Sequence, residues 1–338
     1  MTALDHRARL AGVDLARALA VVSMIIAHTS PSAIDLPAEY LTAPLFAMLI
    51  GVGLALGSPR GPAQREAAAI FTMDTIVRGS ILIVLGVLLQ RLYPMIDVVL
   101  QTLGLTMIVL APVARALAQR PRAALGFALG FYAISPAVMD RSRMLLTEHQ
   151  VGPELTDLID WLAAGAHYRV VSDLVFALTG IALAAWLRAG GGRGGAGLLG
   201  SLTLASVSAL VVVTGKVTGW GGLPYAGDHL ELLATTALAA AVILGATWLA
   251  ERVEVTGPLA ALLATGRMAL SAYAVQILYL ALLRWLRGPL VDDNAWWVLV
   301  TTIALCIGVS WAWQRYAAMP GPLEALLRLP RLLRRRAI

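Results

Sequence analysis

The sequence predicts an all-α polytopic integral membrane protein, a helical bundle of about ten transmembrane helices with both termini inside the cell. Three observations carry this reading. Of the 338 residues, 59% are hydrophobic and only 14% are charged, against about a quarter charged in an ordinary soluble domain. The mean hydropathy is +0.78. The apolar residues fall in successive runs of roughly the 20 residues that one helical crossing needs, and the short alternating segments of a β-barrel are absent.

The first run, 13–31, follows Arg7 and Arg9. It is long, and no small-x-small cleavage pattern follows it, so it reads as a retained helix rather than a removed leader. Runs at 40–57, 69–92, 97–114 and 122–139 come next. The connection 140–168, DRSRMLLTEHQVGPELTDLIDWLAAGAHY, is polar and has room for a surface helix. Spans 169–187 and 197–215 are joined by RAGGGRGGAG, a flexible link rather than a phosphate loop, because no strand precedes it. Spans 229–250, 260–283 and 294–315 complete one membrane domain, 1–315. Cys306, the single cysteine, has no intrachain disulfide partner and reads as lipid-facing or packing filler. The tail, 316–338, contains GPLEALLRLPRLLRRRAI, a basic amphipathic stretch suited to the anionic inner leaflet.

Orientation follows from the basic residues. With the N-terminus inside, Arg7, Arg9, Arg60, Arg65, Arg115, Arg120, Arg122, Arg188, Arg193, Arg252 and the arginines of the C-terminal region are cytoplasmic. The smaller set Arg91, Arg141, Arg143, Arg169, Lys216, Arg284 and Arg287 lies outside. Trp161, Trp220, Trp285, Trp296 and Trp297 fall near the outer boundary, the layer tryptophan prefers.

The polar residues inside the spans are the candidates for function, because charge within a bilayer is costly and faces a cavity or a partner. In GVDLARALAVVSMIIAHTSP, Arg17 and His28 are eleven residues apart, which places them on nearly one helix face and roughly 16 Å apart. Asp14 shares that stripe. Asp14 and Arg17, at i and i+3, also suit a simple boundary ion pair, and a lone His at a helix end also suits a packed residue. Arg78 and Arg267 sit at other predicted inner helix ends. Each could snorkel, or the three arginines together could form a cationic pocket for a phosphorylated ligand. At the outer level collect His28, Asp35, Asp97, His167, Asp173, Asp228, His229 and Glu231. No HxH or HxxxH spacing accompanies them, so no metal is expected. Tyr273 and Gln276, in GRMALSAYAVQ, need hydrogen-bond partners at membrane depth, from the fold or from a substrate. Gly53 and Gly57 form a GxxxG pair that permits close helix packing.

Taken together, RLAGVDLARALAVVSMIIAHT, APLFAMLIGVGLAL, GRMALSAYAVQ and GPLEALLR, in this order across nearly the whole chain, resemble the YeiB-like family of bacterial membrane proteins. That family is similar to the transmembrane acyltransferase superfamily, with its heparan-alpha-glucosaminide N-acetyltransferases and acyltransferase-three proteins. The resemblance implies a multi-pass protein of the bacterial cytoplasmic membrane. It would take an acyl group, acetyl above all, from cytoplasmic acyl-CoA and pass it to a hydroxyl or amine of an envelope glycan or small amphiphile outside. His28 matches the candidate catalyst, and Arg17 the basic residue of an LDxLRG-like element, with Ala18 where the family has glycine. The family's GRMALTNY reads GRMALSAY here, Ala272 replacing the asparagine.

On this reading Arg17, Arg78 and Arg267 hold the CoA phosphates. His28 serves as general base or is itself transiently acylated. Asp97, Asp173, His229, Glu231, Tyr273 and Gln276 are the candidates for orienting its ring or meeting the acceptor. Partners would be membrane lipid, the acyl-CoA donor and the acceptor, with no nucleic acid and a homodimer as the candidate assembly. Two rivals come from other classes: a transporter or flippase for a lipid-linked or anionic solute, and a non-catalytic envelope scaffold.

Overall fold

The computed structural model describes residues 3–31, 35–59, 65–149, 152–192, 194–254, 256–288, 293–317 and 319–335. Side chains are described from residue 11 in the first helix, 38 in the second and 66 in the third, and as far as 328 in the last, so that of Asp35 lies outside. Among the described residues all regular structure is helical. The helices are α1 (Ala3–Thr29), α2 (Asp35–Gly57), α3 (Arg65–Leu92), α4 (Leu100–Leu110), α5 (Ala114–Gln119), α6 (Pro121–Glu148) and α7 (Pro153–Ile159). After a π-helical turn, Asp160–Ala164, come α8 (Val170–Arg188), α9 (Gly194–Thr218), α10 (His229–Ala250), α11 (Gly257–Arg267), α12 (Ala269–Arg287), α13 (Trp296–Tyr316) and α14 (Pro322–Arg335).

Nine of these, α1, α2, α3, α6, α8, α9, α10, α12 and α13, are long and apolar enough among the described residues to cross a membrane. The expected span 97–114 is not one of them. Its helix α4 has eleven residues and ends before Pro112. Proline lacks the N–H for the helical bond, and its ring collides with the carbonyl four residues back. The chain turns through 111–113 and resumes as α5. Both α1, through Arg17, and α14, through Leu327, line one cavity.

The expected span 260–283 is also corrected. Its first part is α11, which stops at Arg267; α12 starts afresh at Ala269 and makes the crossing. Gly266 lies against the Asp14 carbonyl with no room for a Cβ. Beyond the break, Glu324 of α14 accepts from the backbone N–H groups of Leu270 at 2.8 Å and Ser271 at 3.0 Å. It thus satisfies α12's first donors as a local capping residue would. The tail is therefore docked on the bundle, at least at its start. Helix α6 runs to Glu148, past its expected end at 139, and α7 with the π turn fills most of the remaining polar connection.

Helices α2 and α8 cross at the centre. A Cβ on Gly51 would collide with the Ala177 carbonyl, and one on Gly180 with that of Met48. The expected packing role of Gly53 and Gly57 is not what the structure shows. A Cβ on Gly53 meets nothing, and one on Gly57 meets only Phe71, at 3.7 Å. Close approach falls to Gly51, two residues away on another face. Cys306 is buried, its Sγ 3.5 Å from the Ala272 carbonyl, and so is packing filler. Helices α6 and α9 turn apolar residues such as Leu129, Leu199 and Leu210 outward, as lipid contact requires.

Candidate functional site

Arg17 and His28 lie on one stripe of α1, and the fold gives the two ends of that stripe different surroundings. At the Arg17 end, Asp14 holds two guanidinium groups. Arg17 Nη1 donates to Oδ1 at 2.8 Å, and Arg267 Nε donates to Oδ2 at 3.2 Å. Arg78 Nε donates to the Leu327 carbonyl of α14 at 3.1 Å. Arg17, Arg78 and Leu327 line a cavity of about 350 Å³. Arg267 does not line it; half-exposed, it reaches this end only through Asp14. The three-arginine cluster read from the sequence therefore resolves into two residues on a cavity and a third behind a shared carboxylate.

Away from the arginines the cavity wall is apolar, with Phe46, Leu49, Ile50, Leu82 and Leu103. Gly53 and Gly57 also line it, and their missing side chains keep it open. Val99 and Tyr273 complete the lining. The Tyr273 hydroxyl lies beside the Val99 backbone but makes no hydrogen bond of ordinary geometry.

At the other end of the stripe His28 is half-buried. Its Nδ1 is 3.1 Å from Nε2 of Gln276, which is fully buried and whose Oε1 has no partner. Asp97 lies within electrostatic range of both His28 and Tyr273, but its carboxylate is bonded to His167 Nδ1. Of the residues expected to orient the imidazole, Gln276 touches it and Asp97 stands one step back.

The other expected residues do different work. Asp173 is buried beside Arg169 and Thr102. Glu231 accepts from the Gly227 N–H at 2.9 Å. Its neighbour Asp228 caps α10 by accepting from the Glu231 N–H at 2.8 Å. Arg169 crosses the same loop, donating to the Gly165 carbonyl at 3.2 Å and to that of Tyr225 at 3.1 Å. Tyr225 has a left-handed φ of 62°, a conformation uncommon outside glycine that persists only where its surroundings fix it. Asp173 and Glu231 thus surround a buried arginine that pins a loop. His229 is exposed, packed 5.2 Å from the Tyr132 ring, and donates from Nε2 to the Ala133 carbonyl at 3.3 Å. Among the described contacts none of the three touches His28.

The chain also encloses a second cavity, of about 540 Å³. Gln90, Arg91, Asp97, Gln101, Asp157, Asp160, Trp161, His167 and Tyr168 are among its lining residues. Gln90 fixes its rim, donating to the Ile96 carbonyl and accepting from the Val98 N–H, both at 2.8 Å. Burial first, and then Tyr225 and Tyr273, hold the Tyr168 hydroxyl well above the usual phenol range, so it stays a donor. Gln101, Asp157, Asp160 and Trp161 were not singled out from the sequence as site residues. The available signal was the pair of carboxylates at i and i+3 directly before a tryptophan, inside a stretch read only as a polar connection. Trp161 faces this cavity, whereas Trp220 and Trp285 are 81% and 79% exposed.

Val99 lines the first cavity and Val98 the second. One peptide unit, with Tyr273 on one side and Tyr168 on the other, divides them. His28 itself lines neither cavity; it relates to the second through Asp97, which lines that cavity and lies within electrostatic range of the imidazole. No protein-family model, curated protein or solved structure matches the chain.

Proposed function

We propose that the protein is an acyl-CoA-dependent membrane acyltransferase of the YeiB-like kind, with the Arg17 end cytoplasmic and acetyl-CoA as the donor. The observation that carries the reading is the apolar cavity with Arg17 and Arg78 on it and Tyr273 on its wall, three residues before Gln276, the partner of His28. Guanidinium groups suit phosphates, and an apolar passage suits the pantetheine arm with its thioester.

The reaction balances with one base. His28 accepts the proton of an acceptor hydroxyl or amine as the acceptor's O or N bonds to the thioester carbonyl carbon. The C–S bond breaks, and the CoA thiolate takes that proton from the imidazolium. Gln276 sets which ring nitrogen is free. With its amide N–H on Nδ1, the neutral ring carries its proton at Nε2. Turned over, its Oε1 receives Nδ1–H and Nε2 becomes the base.

Calorimetry with CoA tests the donor site. Arg78→Ala and Arg17→Ala should each weaken binding by about 1.5–3 kcal/mol, the worth of a charge-assisted hydrogen bond. Arg267→Ala should weaken it less. Unchanged affinity in both cavity variants removes the donor site. A partition between two cavities also suits a transporter. Solute flux without thioester cleavage would favour that second reading.

A further inference from the structure

We infer that the second cavity binds the acceptor, and that it selects a compact, hydroxyl-rich molecule carrying a protonated amine. This rests on the acyltransfer reading for the word acceptor only; the binding site stands on its own residues.

The argument starts from what the lining lacks. Gln101 is 4% exposed and lines the cavity, and its Oε1 has no hydrogen-bond partner. A buried amide oxygen without a donor is a standing cost, and a ligand that donates to it removes that cost. Two carboxylates stand on the same wall, Asp157 and Asp160. Burial, and then the charge of Asp157, raises the Asp160 carboxyl above its ordinary range, while Arg143 partly opposes this. Arg143 is engaged with the Ala164 and Gly165 carbonyls, at 3.0 and 3.2 Å.

The cationic groups of the lining are Arg91 and, when protonated, His167, which is already bonded to Asp97. The three carboxylates of the lining, Asp97, Asp157 and Asp160, thus outnumber its one permanent cation, Arg91. The missing complement is a ligand with several O–H or N–H groups and a positive charge. Trp161 gives that cation an aromatic face. An anionic ligand would meet two carboxylates and an amide oxygen and would be rejected. Asp97 and Tyr168 line this cavity and lie within electrostatic range of Tyr273, and Asp97 also of His28. A hydroxyl or amine held here is therefore on the acceptor side of the base.

The test uses the full chain in lipid nanodiscs and three probes of equal ring size that differ in charge: glucosamine, glucose and glucuronate. Binding is read by ligand-observed NMR without any CoA compound, so failure of the acyltransfer reading leaves the result intact. Glucosamine should bind, and glucuronate at least about tenfold more weakly. The double variant Asp157→Asn/Asp160→Asn should reduce glucosamine to the level of glucose, with thermal melting unchanged because Asp157 is exposed and Asp160 half-exposed. Gln101→Leu should weaken both glucosamine and glucose. Glucuronate binding as well as glucosamine would overturn the inference. So would no glucosamine binding by folded protein, or an affinity that ignores the double variant.

Discussion

At the scale of residues, the pair His28 and Gln276 carries the chemistry proposed for the centre of the bundle. Gln276→Leu removes the group that fixes the imidazole while keeping an apolar side chain of similar size, so CoA affinity should hold and turnover should fall. Gln276→Glu can only accept from Nδ1–H. It should preserve the base tautomer and retain more turnover than the leucine variant, a split that a purely structural glutamine would not produce. Kinetics of all three proteins under saturating donor distinguish the two roles. Equal loss in both variants would show that Gln276 only packs.

The candidate His28 was legible from its place at the end of a charged stripe and from family resemblance, because both belong to one short segment. Its partner was legible only as a buried amide in need of bonding, since the contact joins residues 248 positions apart. The same limit explains why Glu231 and Asp173 looked like site residues. A carboxylate at membrane depth signals a partner, and here the partner is the loop-pinning Arg169 rather than the imidazole.

At the scale of elements, α2 separates two kinds of glycine. Gly53→Leu adds a side chain where there is open space on the cavity wall. It should abolish CoA binding while the helix, relieved of a glycine, stays folded. Gly51→Leu drives a side chain into the Ala177 carbonyl. It should destabilise the bundle by about 1–3 kcal/mol or more, as overpacking does. Thermal melting and CoA calorimetry on the two proteins read the contrast. Comparable destabilisation by both, with CoA binding retained in the Gly53 variant, would deny the cavity its role.

Helix existence was readable from apolar runs, and nine of the ten expected spans have a long helical counterpart. The misplaced parts have local causes that hydropathy averages away. Pro112 ends α4 although the residues around it are apolar. The break at Met268 depends on Asp14 and Glu324, which are remote in sequence. A GxxxG spacing fixes a face, not what lies opposite it, so Gly53 and Gly57 could signal close packing or an open wall equally well.

At the scale of the whole molecule, α1 and α14 meet at the cavity lined by Arg17 and Leu327, and the proposed function requires that side to be cytoplasmic, as the arginine distribution leads one to expect. Single cysteines at Glu254 and Leu223, both exposed, report the orientation once Cys306 is replaced by Ala. An impermeant maleimide should label Leu223→Cys in intact cells, and Glu254→Cys only after permeabilisation. The reverse pattern would invert the assignment of donor and acceptor sides.

The central claim is that His28 serves a chemical step at a partition between a donor cavity and an acceptor cavity. It is tested by one comparison in nanodiscs, in which the parent protein and His28→Ala are taken through acetyl-CoA turnover, CoA binding and thermal melting on the same preparations. The expected result is melting and CoA affinity close to the parent, with turnover about 10²–10⁴-fold lower, the usual worth of a general base. A His28→Ala protein that melts and binds CoA like the parent and still releases CoA thiol at the parent rate would contradict the account.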